Sequence, residues 1–525
     1  MISPIASSRG APIVGDDANG EEDAMQLGQV APSPAVAIQP PAPYEGFERM
    51  PIAGSWRRGR SGKLCADHDP YSSDTLVEIP LADACDVEEA YRAAAACQPK
   101  WAATLPRERR DVIERAAQII AQRKDEIVEW LIKESGSTRK KALEEHRIVH
   151  EQLLEQAIYP FHAAGRILSA SAHGKESRVY RRPIGVVSVI SPWSFPMQLS
   201  LRSVGAALAV GNAVVLKPAS DTPVTGGLLL AKIFEEAGLP AGVLSVVVGT
   251  GKDIGDAFVE HPIPRVISFT GSTSVGRRIA ERCGRNLKRV CLELGGNGPL
   301  IVLDDADIGA AVEAAVVGKF MHHGQTCIAI NRILLDTKIH DAFLDRFAKR
   351  VASLRVGNPS DPKTLIGPII NRSQLERILE KVDASLAAGA CVVLRGQVSG
   401  LVLSPIVLES VQNDMPVAQE EVFGPVAPVL RFDGEDEAIK IANDTEYGMS
   451  SAVFTHDLER GLRVAHRLET GMAHINDWPA NDEANTAFGG EKASGLGRFG
   501  GQWAVEEMTT CQWVSTQETP RRHAV

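Results

Sequence analysis

The chain has no CxxC pair and no cysteine–histidine cluster at zinc-ligand spacing. Its eight cysteines, Cys65, Cys85, Cys97, Cys283, Cys291, Cys327, Cys391 and Cys511, are scattered. That pattern excludes a zinc ribbon or finger and a disulfide framework, so no metal is expected and reduced thiols in a cytoplasmic compartment fit best. No apolar run approaches the ~18 residues of a membrane span, so no membrane association is expected. Basic charge is also short: the net charge is -10 and the pI near 5.8. A protein of that balance lacks the positive field that draws in phosphate backbones, and no nucleic-acid partner is expected. The first 48 residues hold one basic residue, Arg9, against Asp16, Asp17, Glu21, Glu22 and Asp23. They read neither as a secretory signal nor as a basic, acid-poor transit peptide.

What is present is an ordinary globular composition, 44% hydrophobic and 23% charged over 525 residues. That length predicts two or more domains. Residues 1–48, rich in Pro, Ala, Gly and Ser, read as a disordered or loosely packed extension. Helical periodicity begins at Asp86, with Val87, Ala90, Ala94 and Ala95 on one face, and continues over residues 107–123 and 125–160 with a break near Gly136. Residues 166–190 read mainly as extended chain. Short apolar strands at 186–190, 213–216, 244–248 and 266–269 then alternate with helices at 199–208, 225–237 and from Thr273. Such alternation predicts a parallel sheet of Rossmann type. A second alternating region runs from about Pro299 to residue 487. The expected fold is therefore α/β. Residues 49–165 and 183–294 form a Rossmann-like coenzyme domain, and 295–487 an α/β catalytic domain.

Two residues carry chemistry. Glu293 lies in Val290-Cys291-Leu292-Glu293-Leu294-Gly295-Gly296, and Cys327 lies 34 positions later in His323-Gly324-Gln325-Thr326-Cys327-Ile328. A thiol and a carboxylate, each beside glycine, are the parts needed for covalent attack on a carbonyl followed by water activation. These two strings, with four others in order, resemble the aldehyde dehydrogenase superfamily. The others are Ser191-Pro192-Trp193-Ser194-Phe195-Pro196, Lys217-Pro218-Ala219-Ser220, Phe269-Thr270-Gly271-Ser272-Thr273-Ser274-Val275-Gly276 and Glu420-Glu421-Val422-Phe423-Gly424-Pro425. Phe488-Gly489-Gly490-Glu491-Lys492-Ala493-Ser494-Gly495 closes the series. The resemblance runs from about residue 50 to about residue 516. Ile475-Asn476-Asp477 and Gly495-Leu496-Gly497-Arg498-Phe499-Gly500-Gly501 are similar to strings of the subgroup acting on benzaldehyde-type and vanillin-type aldehydes.

The resemblance implies NAD- or NADP-dependent oxidation of a small-molecule aldehyde, with aromatic aldehydes the class suggested by the subgroup. Cys327 would attack the aldehyde, hydride would leave for the nicotinamide, and water activated by Glu293 would hydrolyse the remaining thioester. The oxyanion would be held by the Cys327 backbone N–H and by Ser194, where relatives usually carry Asn; a hydroxyl is a shorter donor whose proton rotates. Coenzyme would be held by Trp193, Lys217, Ser220, Gly271, Ser272, Gly276, Glu421 and Phe423. Ser220 stands where NAD-preferring relatives carry Glu, so the extra phosphate of NADP meets no carboxylate there. The substrate channel would include Phe195, Leu199, Arg202, Met321, Thr326, Ile328 and Phe488, with Arg202 able to meet a polar or acidic substituent or else to form an internal ion pair. The family also implies an oligomerisation arm, here residues 166–182 and 503–516, and hence a homodimer or homotetramer. Two other readings are a CoA-acylating dehydrogenase, which Glu293 disfavours, and a non-catalytic coenzyme-binding protein, which the Ser194 substitution alone supports.

Overall fold

A computed structural model describes residues 41–520. Two largely parallel sheets dominate it. The first orders its strands Gly495–Leu496, Arg289–Glu293, Val266–Thr270, Val186–Ile190, Ala213–Lys217 and Leu244–Val246. All neighbours are parallel except the two-residue edge strand Gly495–Leu496. The second sheet has seven strands, with Gly298–Val302 and Ile330–Asp336 near its centre. Strands buried on both faces need continuous apolar side chains rather than alternating ones. Val186–Ile190 and Ala213–Lys217 show that pattern, both almost wholly buried.

The predicted strand–helix order in the first half is present with shifted ends. The helix expected at 199–208 spans Pro196–Ala209, starting at a proline whose missing N–H costs nothing in a first turn. The helix expected at 225–237 opens as a π turn, Val224–Leu228, before Leu229–Glu236. The strand expected at 244–248 stops at Val246.

Three features were not legible. Residues 50–80 form two small antiparallel pairs, Met50–Ile52 with Ser55–Arg57 and Leu64–His68 with Thr75–Pro80. The expected loose extension lies mostly outside the described residues, but its last stretch corrects the boundary. Phe47 is buried edge-on against Trp130, and the Arg123 guanidinium lies over the Tyr44 ring. Gly495–Leu496 pairs with Leu292 and Glu293, so the C-terminal segment completes the first sheet.

A third sheet joins Arg166–Leu168, Lys175–Pro183 and Thr509–Gln517 in antiparallel register. Ile167, 77% exposed, and Tyr180 stand on one face of it and Trp513, 64% exposed, on the other.

Candidate active site

Glu293 ends a strand of the first sheet, opposite Thr270 at the end of the neighbouring strand. Ligand sites of open α/β sheets lie at these carboxyl ends. The chain then crosses through Gly295-Gly296-Asn297 into the second sheet at Gly298. Cys327 approaches from the other side. It follows a turn in which His322, His323 and Gly324 all have positive φ, and it precedes the strand Ile330–Asp336. Two glycines make this meeting possible. A Cβ at Gly296 would stand 2.0 Å from the Cys327 carbonyl oxygen, and one at Gly324 would stand 2.3 Å from the Gly424 carbonyl oxygen.

The two reactive side chains touch. Cys327 Sγ donates to Glu293 Oε1 at 3.1 Å. Glu293 Oε2 accepts from Arg202 Nη1 at 3.2 Å and Thr270 Oγ1 at 3.3 Å. Arg202 Nη2 also pairs with Asp482, which accepts from Gln198 as well. Burial pushes the Glu293 carboxyl up, opposed by the Arg202 charge and the Cys327 hydrogen bond. Burial and the adjoining Glu293 carboxylate raise the Cys327 thiol well above its ordinary range, with Arg202 acting the other way. Burial would push Arg202 down, but Asp482 and Glu293 more than offset it.

A cavity of about 1060 Å³ opens onto Cys327 and Glu293. All seven expected channel residues line it: Phe195, Leu199, Arg202, Met321, Thr326, Ile328 and Phe488. The expectation for Arg202 resolves toward the internal ion pair, because both ends of its guanidinium are engaged and its Cζ lies 4.0 Å from the Phe488 ring centre. Ser194 is buried at the start of the helix Pro196–Ala209 but is not among the residues lining this cavity, and among the described residues its hydroxyl has no hydrogen-bond partner. Asp482, Trp478 and Asn481 line the cavity without having been singled out. They lie in an irregular segment, where no periodicity or short motif marks a residue as functional.

The expected coenzyme residues gather at the ends of the first sheet. Lys217 closes the strand Ala213–Lys217, and burial lowers its ammonium to about 8. Its Nζ donates to the Pro218 carbonyl at 3.3 Å. Ser220 follows two residues after Pro218, with Asp221 beside it accepting from Asn371 at 2.9 Å. Ser272 caps the helix Thr273–Arg285 without using its own side chain on the first turn, which leaves those N–H groups for an anion. Gly276 lets this helix sit against Leu294; a Cβ there would come within 2.3 Å. From the second half, Glu421 accepts from the Gly296 N–H at 2.8 Å, and burial raises it to about 7. Phe423, at φ 52°, sets its ring edge-on to Trp193, 5.3 Å between centres. A buried lysine with no carboxylate bonded to it, an open helix start and an aromatic pair are groups that fit a dinucleotide coenzyme.

Residues 56–514 match the aldehyde dehydrogenase family. The chain is 50% identical over 470 residues to a vanillin dehydrogenase of Corynebacterium glutamicum, covering 89% of this chain and 97% of that one. It is 48% identical over 478 residues to a benzaldehyde dehydrogenase of Bacillus subtilis, covering 91% and 99%. The crystal structure of an NAD-dependent benzaldehyde dehydrogenase from Corynebacterium glutamicum superposes with a TM-score of 0.84 at 46% identity, covering 91% of this chain and 98% of that one. The protein belongs to the aldehyde dehydrogenase family and is an NAD(P)-dependent enzyme that oxidises aldehydes through a catalytic cysteine. Among the described residues no helix is long and apolar enough to cross a membrane.

Proposed function

We propose that the chain oxidises aromatic aldehydes to carboxylic acids, with Cys327 as nucleophile and Glu293 as general base. The observation that carries the aromatic reading is the cavity wall: Phe195, Leu199, Met321, Ile328, Trp478 and Phe488 surround the approach to Cys327. Apolar and aromatic walls favour a ring, since the area they remove from water contributes about 25 cal/mol per Å². The vanillin and benzaldehyde dehydrogenases named above support the same class.

A nicotinamide coenzyme, when bound, would accept the hydride. The protein's part is geometric and electrostatic. Glu293 stands 3.1 Å from the thiol, within reach of its proton before attack and, after acylation, of a water near the same sulfur. The Cys327 N–H would stabilise the oxyanion; Ser194, which does not line the cavity, is the weaker second donor, and its hydroxyl orients less rigidly than an amide. Lys217 and Ser220 would hold the adenosine ribose, Gly271, Ser272 and Gly276 the pyrophosphate, and Trp193, Glu421 and Phe423 the nicotinamide end. With Ser220 neutral, both NAD and NADP are expected to serve. The retained Glu293 favours hydrolysis of the thioester over transfer to CoA.

The exposed apolar side chains of the third sheet support assembly into a homodimer or homotetramer. Eight free thiols support a reducing, cytoplasmic setting.

The test is a matrix of benzaldehyde, vanillin and unbranched aliphatic aldehydes against NAD and NADP, with and without CoA. Aromatic aldehydes should give the higher kcat/KM and free acid as product, and Cys327→Ala should abolish turnover while retaining coenzyme binding. A consistently higher kcat/KM for the aliphatic aldehydes sinks the aromatic reading; substantial turnover by Cys327→Ala sinks the nucleophile.

A further inference from the structure

Arg202 is the cation nearest the reacting groups on the cavity wall, and it is already spoken for. One side of its guanidinium bonds Glu293 and the other bonds Asp482, while its Cζ lies over the Phe488 ring. All three charged groups are nearly inaccessible, their side chains 5%, 0% and 9% exposed. With both carboxyls ionised, one positive and two negative groups give this corner a formal charge of -1, and burial pushes both carboxyls up. Of the other wall cations, Lys141, Arg147 and Arg350 are likewise paired, with Glu145, with Glu144 and Glu151, and with Glu313, while Lys140 is unpaired but exposed to solvent. An aldehyde carrying a carboxylate would therefore lose its hydration on entering and find no unpaired buried cation on the cavity wall to replace it.

We infer that Asp482 is a specificity-determining residue: by occupying Arg202 it makes the cavity accept aldehydes without an anionic substituent and refuse those with one. This rests on the cavity being the aldehyde site. Asp482 acts through Arg202 as an internal substitute for a substrate carboxylate. Removing its charge while keeping its shape leaves a buried guanidinium half-compensated, and an incoming carboxylate is then the group that completes it. The discrimination comes from repulsion and withheld pairing, not from a contact favouring the neutral substrate.

The test uses two near-isosteric pairs, methyl 4-formylbenzoate against 4-formylbenzoate and 4-methylpentanal against 4-oxobutanoate. For the intact enzyme kcat/KM should favour the neutral member of each pair by about tenfold or more. Asp482→Asn should narrow each ratio by about tenfold, chiefly through KM of the anion, and Asp482→Glu should keep the neutral preference. A general loosening of the site would lower both members of a pair together and leave the ratio unmoved. Equal use of both members by the intact enzyme overturns the inference, as does an unmoved ratio in active Asp482→Asn. If that variant does not fold, the pairs on the intact enzyme decide. Selectivity in the aliphatic pair with no turnover of aromatic aldehydes would refute the aromatic reading and keep this one; turnover of benzaldehyde without charge selectivity would do the reverse.

Discussion

At the scale of single residues, the thiol–carboxylate contact poses a question of sign. Glu293 can accept the thiol proton, yet its negative charge also opposes the thiolate that results, while Arg202 favours it. In Glu293→Gln the opposing charge is gone and Arg202 remains, so the thiolate is easier to form although its base is lost. Attack on the first aldehyde should survive; hydrolysis of the thioester, which needs the carboxylate to take a proton from water, should not. Rapid mixing should show a retained first-turnover burst of NAD(P)H and a steady-state rate lowered by about 10²–10⁴. Loss of the burst in proportion would move the main role of Glu293 to thiol activation. The pH profile follows from the same groups. Burial raises the Glu293 carboxyl, so its base form is gained as pH rises above the usual carboxylate range. Steady-state kcat should climb through that range in the intact enzyme, and Glu293→Gln should lose this limb.

At the scale of elements, the helix Pro196–Ala209 carries Arg202 and begins beside Ser194, so its placement sets the geometry of the site. Its first turn is held by Glu145, which accepts from the Met197 and Gln198 N–H groups at 3.0 and 3.2 Å and pairs with buried Lys141. A carboxylate at the positive end of a helix is favourable, and here it also neutralises a buried ammonium. Glu145→Gln keeps the shape but strands Lys141. We expect a cost of about 3–5 kcal/mol, read as a lowered unfolding temperature. Most of it should return in Glu145→Gln with Lys141→Met, since the pair is then replaced together; an equally unstable double variant would show that the backbone cap, not the ion pair, dominates. The central strands and helices were legible because each is a local pattern: an apolar run at 186–190, a 3.6-residue period after Asp86. Glu293 and Cys327 were legible because glycine-rich strings surround them. Asp482 was not, since its partner Arg202 lies 280 positions away and no string links them. The pairs in residues 50–80 escaped because strands of three to six residues with mixed exposure carry no clean alternation. Gly495–Leu496 escaped because two residues cannot announce a strand.

At the scale of the whole molecule, the third sheet stands on long-range pairing: Lys175–Pro183 lies against Thr509–Gln517 over nine residue pairs. Its exposed Trp513, on the face opposite Ile167, is expected to meet a second copy. A charge placed there should be refused by an apolar interface while leaving the fold of one chain intact. Trp513→Asp should shift the species seen by light scattering toward the 56.4 kDa monomer. An unchanged assembly would place the subunit contact on another surface.

The crossing at Gly295-Gly296-Asn297 means that base and nucleophile ride on different sheets, and their 3.1 Å contact measures how far the two halves are closed. A misplacement of about 1 Å can cost about a hundredfold in rate. A molecule wedged between the halves, far from sulfur and carboxylate alike, would therefore silence the enzyme by spreading it. Such an inhibitor would not compete with the aldehyde and would leave Cys327 chemically untouched.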